Sequence, residues 1–94
     1  MFPSDRSPNP VWCFSVFAAP EASVMPRVLN EFAKRGLCPS RFDGAVAGDD
    51  LVVDVQCAGL EPEIARHVAE RLRGLVHVER VLTAVKSRAR EARA

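Results

Sequence analysis

The sequence predicts an α+β sandwich of the ferredoxin-like type, in which a four-stranded antiparallel sheet carries two helices on one face. The main observation is the order of hydrophobic periods along residues 11–85, which reads strand, helix, strand, strand, helix, strand. The length of 94 residues is enough for one compact domain but not for two. A composition of 48% hydrophobic and 27% charged residues is ordinary for a globular domain, so a single packed core is expected.

The first strand is predicted at residues 11–17, a run of apolar, aromatic and β-branched residues bounded by prolines. The period of two places one set of side chains toward the core: Trp12, Phe14 and Val16. The opposite face carries Cys13, Ser15 and Phe17.

The first helix is predicted at residues 23–35, where apolar residues recur three and four positions apart. Ser23 is a candidate cap, Pro26 falls in the first turn, and Gly36 is a stop signal. The side chains expected to face inward are Val24, Met25, Val28, Leu29 and Phe32. Those expected to face outward are Arg27, Asn30, Glu31 and Lys34.

A hairpin follows, with a weak strand at residues 40–47, a turn at residues 48–50 and a strong strand at residues 51–57. The strong strand is expected to bury one set of side chains, Leu51, Val53, Val55 and Cys57. A second amphipathic helix is predicted at residues 61–73, with Pro62 near its start and Gly74 at its end. Its inward positions are Ile64, Ala65, Val68, Ala69 and Leu72.

The last predicted strand spans residues 77–85, so the chain divides into an N-terminal arm at 1–10, a domain at 11–85 and a tail at 86–94. The tail is basic, and residues 1–85 carry a net charge of −2. A contact of this tail with an acidic partner is one interpretation, but such a charge run is typical of a solvated chain end.

Charge and composition argue against several classes of partner. Thirteen Lys and Arg against twelve Asp and Glu give a net charge of +1, which is too balanced for binding nucleic acid through its phosphates. No apolar run reaches the roughly 18–20 residues of a membrane span, and the first ten residues have no apolar signal segment. The chain has three widely spaced cysteines, an odd number that argues against a disulfide framework. We expect them to be small hydrophobic side chains in a protein of a reducing compartment. We therefore expect a cytoplasmic protein with neither nucleic acid nor a membrane as a partner.

The residues also offer no motif for catalysis. The loop at residues 18–23 lacks the paired thiols of a metal chaperone and the arginine of an acyl-phosphate hydrolase. The strand at residues 51–57 has no aromatic side chain on which an RNA base could stack. His67 lies in the middle of a helix and His77 in a turn, and neither has a nucleophile and an orienting group beside it. The sequence predicts a domain that is not an enzyme and that holds no metal and no cofactor.

Three segments resemble the ACT domain family. The stretch from Glu21 to Leu29, continuing through Phe32 to Leu37, is similar to the first loop and helix of that family. Residues 51–55 resemble its third strand, and residues 72–81 resemble its second helix and fourth strand. The resemblance covers residues 11–85 and implies the same ferredoxin-like, ACT-like sandwich. By pattern it is nearest to the short regulatory subunits of acetolactate synthase, which carry an arginine-valine pair in the first helix.

The resemblance implies a non-catalytic regulatory subunit or module associated with amino-acid biosynthesis. ACT domains pair side by side into a continuous sheet and bind small ligands, usually amino acids, at the interface. The expected partner is the thiamine-diphosphate-dependent large subunit of acetolactate synthase, while this chain itself would bind no thiamine. The alternative is a free-standing amino-acid-binding sensor dimer with no fixed enzyme partner.

The resemblance places a ligand site in two segments of the chain. The first loop supplies Pro20, Glu21, Ala22, Ser23, Val24 and Met25, and the start of the second strand supplies Cys38 and Pro39. Amino-acid-binding members have a glycine where this chain has Ser23, and asparagines where it has Pro20 and Cys38. Ser23 at a helix N-terminus either caps the helix or receives a ligand carboxylate, and Glu21 either opposes that carboxylate or holds an ammonium group.

A homodimer is predicted from the second strand, which lies at the border of the sheet in this topology. Arg41 and Asp43 on this strand could pair reciprocally across a two-fold axis. Phe17 and Cys13, on the face away from the helices, are candidates for stacking dimers into a higher oligomer.

Overall fold

The computed structural model describes residues 10–87 and shows the predicted order of elements. The four strands are β1 (Pro10–Ala18), β2 (Arg41–Ala47), β3 (Asp50–Ala58) and β4 (Val78–Ser87). The two helices are α1 (Val24–Ala33) and α2 (Pro62–Arg73). Nearly all of the predicted arm and tail lies outside the described residues.

The strands form one sheet in the order β2-β3-β1-β4, and every neighbouring pair is antiparallel. Together with the two helices this is the predicted ferredoxin-like βαββαβ fold. β2 and β4 are the two edge strands, while β1 and β3 lie in the centre. The register aligns Ala18 of β1 with Leu51 of β3, and Leu51 in turn with Val46 of β2.

The core lies between the helices and one face of the sheet, as the alternation in the strands predicts. The rings of Phe14 on β1 and Phe32 on α1 meet edge to face, with centroids 5.3 Å apart and an interplanar angle of 79°. Trp12 is half-buried against this core and donates its Nε1 hydrogen to the carbonyl oxygen of Leu60, 3.1 Å away. The four predicted inward residues of β3 are all buried: Leu51, Val53, Val55 and Cys57.

The helices depart from their predicted faces at four positions. Glu31, expected to face outward, is only 4% exposed, because it lies seven residues after Val24 and therefore on the same face of α1. Met25 and Leu29 on α1 and Ile64 on α2, expected to face inward, are each about 40% exposed. These three apolar side chains lie at the borders of the buried helix surface rather than within it.

A left-handed backbone position determines the β2–β3 turn. Gly48 has φ of +64°, a conformation that side chains with a Cβ atom rarely adopt. The glycine therefore lets a short turn join the two strands in register.

Neither helix within residues 10–87 has the length and apolar character needed to cross a lipid bilayer.

Candidate functional site: the first loop and the β2 edge

The first loop, residues 19–23, is held in place by backbone hydrogen bonds. The N–H of Glu21 donates to the Ala19 carbonyl at 2.7 Å, and the N–H of Val24 donates to the Glu21 carbonyl at 3.1 Å. The N–H of Ala19 donates to the carbonyl of His77 at 2.9 Å, which fixes the loop to the turn before β4. The loop is therefore an ordered entry into α1.

Ser23 is the residue before α1, but its hydroxyl makes no capping hydrogen bond. Its backbone is already helical, with φ of −76° and ψ of −9°, whereas a capping serine normally has an extended backbone that aims the hydroxyl at the next turn. The interpretation of Ser23 as a side-chain cap is therefore wrong. Its hydroxyl is left to other partners.

The predicted loop residues differ in what they present to a ligand. Pro20, Glu21 and Ala22 are exposed, and Ser23 is half-buried. The side chain of Val24 is 1% exposed and belongs to the core, so it could take part in binding only through its backbone.

Met25 connects the start of α1 to the edge strand. Its sulfur lies directly over the backbone of Gly44 on β2, in space that a Cβ atom at position 44 would occupy. The missing side chain of Gly44 therefore allows Met25 to pack against the strand.

The second predicted segment lies at the start of β2. Cys38 is exposed and Pro39 is half-buried, and the carbonyl of Cys38 lies 3.9 Å from the sulfur of Cys57 on β3. Burial, together with the nearby Cys38, raises the pKa of the Cys57 thiol, which disfavours its reactive thiolate form.

Within one protomer the two predicted segments do not meet. The register aligns Arg41, at the start of β2, with Gln56 and through it with Cys13 on β1. The first loop follows Ala18, five residues farther along β1, which is roughly 16 Å at 3.3 Å per residue. Cys38–Pro39 and the first loop therefore lie toward opposite ends of the sheet.

An exposed apolar strip borders the outer side of β2, where the sheet formed by residues 10–87 ends. Val46 is 65% exposed and, since it pairs with buried Leu51, lies on the helix side of the sheet. Met25 and Leu29, one turn apart on α1, are the partly exposed apolar residues of the same border. We call Met25, Leu29 and Val46 the edge strip.

The opposite, helix-free face of the sheet carries polar pairs. Arg41 and Asp43, the candidates for pairing across a two-fold axis, form an ion pair within β2, with Nε and Oδ2 2.8 Å apart. The hydroxyl of Ser15 donates to the carboxylate of Asp54 at 2.8 Å. The guanidinium of Arg80 lies 4.1 Å from the ring centroid of Phe17, so this candidate for stacking is partly covered by a cation–π contact.

Sequence reasoning missed a charge cluster between the helices. The carboxylate of buried Glu31 lies 3.1 Å from Lys34 and 3.1 Å from Arg35, which directly follow α1. It also lies 3.8 Å from Arg71 on α2. Burial acts to raise the pKa of Glu31, but the hydrogen bonds and charges of Lys34 and Arg35 outweigh it, so the pKa lies below 4.5. The seven-residue spacing from Val24 was a usable signal for its burial.

Within residues 10–87, no group of three or more His, Cys, Asp or Glu side chains is arranged to hold a metal ion.

Comparison with solved structures reproduces the architecture at low sequence identity. The ACT domain of a GTP pyrophosphokinase from Chlorobium tepidum superposes with a TM-score of 0.70 at 6% identity, over 81% of this chain and 99% of that one. The C-terminal domain of MgtC from Mycobacterium tuberculosis gives 0.69 at 16% identity, over 87% and 92% of the two chains. The regulatory subunit of aspartate kinase from Thermus thermophilus gives 0.63 at 12% identity, over 81% of this chain and 50% of that one. These likenesses show the fold alone.

Comparison with curated proteins gives no match in sequence. The family model described as "ACT-like domain", however, matches residues 7–89, which is most of the chain and includes every described element. Domains of this family are generally regulatory modules that bind amino acids rather than catalysts. On the sequence model and the fold together, the chain belongs to the ACT-like domain family.

Proposed function

We propose that this chain is a non-catalytic regulatory module of amino-acid biosynthesis that works as a homodimer paired along β2. The observation that carries the proposal is the free β2 edge bordered by the edge strip, with one half of the predicted ligand site toward each end of the strand. Among residues 10–87 of one protomer, β2 has a strand neighbour on one side only, and the predicted site is divided. A second protomer would correct both.

Antiparallel pairing of two β2 strands would join the two halves of the site across the dimer. If the two-fold axis passes near Gly44, the middle residue of β2, Arg41 of one protomer lies opposite Ala47 of its partner. Cys38–Pro39 of one protomer then approaches the partner's β2–β3 turn and first loop. The two segments that are roughly 16 Å apart within a chain would become neighbours between chains.

The same pairing would cover the edge strip. Met25, Leu29 and Val46 are too exposed to belong to the core of one protomer, yet they lie on the helix side of the strand that would pair. Burying them against their symmetry mates would favour association by roughly 25 cal/mol for each Å² of apolar surface removed from water. The hydrogen bonds of the free β2 edge would fix the register.

The ligand proposed for this interface is a small amino acid. Within residues 10–87 the backbone N–H groups of Ala22 and Ser23 make no hydrogen bond, and they lie at the start of α1. Free N–H groups and the positive end of a helix dipole both favour a carboxylate. The exposed Glu21 beside them has the charge to receive an ammonium group.

The partner proposed for the dimer is the thiamine-diphosphate-dependent large subunit of acetolactate synthase. The resemblance of the first helix to the short regulatory subunits of that enzyme supports this choice. One solved structure with the same fold is itself named a regulatory subunit, that of an aspartate kinase. The chain would bind no thiamine and would act only through the large subunit.

The dimer is tested by Val46→Lys, which places a charge in the edge strip of the proposed interface. We expect light scattering to give twice the 10.3 kDa chain mass for the wild type and the chain mass for the variant. Val76→Lys is the matched control, because Val76 is 58% exposed but lies before β4, away from β2. A wild-type monomer, or a Val46→Lys dimer, would reject pairing along β2.

Ligand binding is tested by thermal unfolding with each of the twenty amino acids at millimolar concentration. A ligand at about 100 times its Kd adds roughly 2.7 kcal/mol, which raises Tm by several degrees in a domain of this size. We expect a rise for one chemical class of amino acid that is lost in Glu21→Gln and kept in Glu63→Gln, a control at the exposed start of α2. No rise with any amino acid would leave a docking module without a ligand.

The sensor alternative differs in its partner. A regulatory subunit should co-purify with the acetolactate synthase large subunit of the same genome and change its rate. An amino-acid-induced rise in Tm without co-purification or a change in rate would instead favour the free-standing sensor dimer.

A further inference from the structure

A cavity lies on the other side of the molecule from β2, between α2 and the edge strand β4. It has a volume of about 300 Å³, at the lower end of the roughly 300–1,000 Å³ usual for small-molecule pockets. Its floor is formed by Ala65 and Ala69, and Trp12 and Pro62 line one end. Because β4 is the edge strand opposite β2, pairing of two β2 strands would leave this cavity open.

The cavity exists because small residues face each other across the gap. Ala65 and Ala69 are the buried residues of α2 at this point, at 1% and 2% exposure, and neither has a side chain long enough to reach β4. Thr83, which pairs with Phe14 in the register, is the β4 side chain on the other side of the gap. The Trp12 ring is held at one end by its hydrogen bond to Leu60.

Two arginine residues line the cavity. Arg66 and Arg73 are seven residues apart, which places them on one face of α2 with roughly 10 Å between their backbone positions. Among residues 10–87 neither of them pairs with a carboxylate. Arg73 is held over the cavity because it donates to the Val81 carbonyl at 3.0 Å, and this bond uses only one of its five N–H groups.

We propose that this cavity binds a small aromatic carboxylate. Its ring would lie against the Trp12 indole and the two alanines, and its carboxylate would be bound by Arg73. An aromatic wall selects a flat unsaturated group, and a guanidinium already fixed in place binds a carboxylate with little loss of side-chain entropy. Arg66 adds a second positive charge that attracts the anion, and the hydroxyl of Thr83 is a further donor.

Trp12 is the only tryptophan of the chain, so its fluorescence reports directly on this cavity. We would titrate the full chain with 3-phenylpropionate and expect a saturable change at millimolar concentration. 3-Phenylpropionamide, which lacks the charge, should bind about ten-fold more weakly or worse. 3-Cyclohexylpropionate, which lacks the flat ring, should bind several-fold more weakly.

Variants locate the site. Arg73→Gln should weaken binding about ten-fold and Arg66→Gln two- to three-fold, while Arg27→Gln, on the exposed face of α1, should leave it unchanged. Arg66→Gln changes only an exposed side chain, so it remains informative if loss of the Val81 hydrogen bond destabilises Arg73→Gln. Backbone amide shifts should be confined to α2, β4 and the first half of β1.

Equal affinity for the acid and its amide, full affinity in folded Arg73→Gln, or absence of saturable binding would overturn the proposal. Shifts along the outer edge of β4 that do not depend on the carboxylate would also overturn it and would indicate strand addition. Binding should persist in Val46→Lys, which separates this site from the β2 interface. Failure of the proposed dimer would therefore leave this inference standing, and the reverse also holds.

Discussion

The side chain of Phe14 lies in the core, fully buried and in edge-to-face contact with Phe32. Phe17, three residues later on the same strand, lies on the opposite face under the guanidinium of Arg80. The two positions carry the same side chain in a closed and in an open environment. Substitutions at these two positions therefore compare the stability gained from core packing with that gained from a surface contact.

Phe14→Ala should lower the free energy of unfolding by about 3–5 kcal/mol, because the surrounding side chains cannot fill the cavity. Phe17→Ala should cost about 1 kcal/mol, since it removes a partly exposed ring and one cation–π contact. Urea unfolding followed by circular dichroism measures both. Similar losses at the two positions would contradict the assignment of the two faces of β1.

The contact of Met25 with Gly44 is a second feature at the scale of single residues. Gly44→Ala should displace the Met25 side chain, which is free to move because it is partly exposed, so the cost should be about 1 kcal/mol or less. The cost should shrink in a Met25→Ala background, where the space is empty. A double-mutant cycle of unfolding free energies measures this coupling, and additive effects would show that the two residues do not touch.

At the scale of the elements, Glu31 joins the two helices. Its buried carboxylate lies beside Lys34 and Arg35, which directly follow α1, and beside Arg71 of α2. It therefore stabilises the helix pair only while it is ionised. A carboxyl group whose pKa is lowered by folding stabilises the folded state at pH values above its unfolded pKa. This stabilisation is lost as the pH falls through the folded pKa.

The stability of the wild type should therefore contain a contribution from Glu31 that is complete above pH 4.5 and disappears below it. Glu31→Gln should lower stability at pH 7 and remove this part of the acid-induced loss. Glu79→Gln, at an exposed position of β4, is the control and should keep the wild-type profile. Denaturant unfolding at pH values above and below 4.5 measures the free energy of unfolding of each variant. If that free energy changed with pH in parallel for wild type and Glu31→Gln, the role of the cluster would be contradicted.

The apolar residues of α1 illustrate why hydrophobic spacing predicts the direction of the buried helix face more reliably than the width of that face. The three- and four-residue spacing predicted that Val28 and Phe32 are buried, and both are fully buried. Met25 and Leu29 fit the same pattern but lie beside the sheet edge, where one protomer has nothing to cover them. Periodicity defines which way a residue points, whereas the position of the helix over the sheet decides how much of it is covered.

At the scale of the whole molecule, the proposed β2 dimer makes stability depend on protein concentration. Association of folded protomers stabilises the folded state by mass action, so the Tm of the wild type should rise as the protein is concentrated. The Tm of Val46→Lys should stay constant over the same range, and that of Val76→Lys should rise like the wild type. A calorimetric dilution series measures this, and a constant wild-type Tm would exclude dimerisation coupled to folding.

Short-range periodicity and local start and stop signals were enough to predict the element order, the ferredoxin-like fold and the buried faces of β1 and β3. Four features followed only from the folded arrangement: the burial of Glu31, the packing of Met25 over Gly44, the separation of the two predicted ligand segments and the cavity between α2 and β4. Each of these depends on distances between residues far apart in the chain. Such distances follow from strand register and helix placement, which periodicity along the chain does not encode.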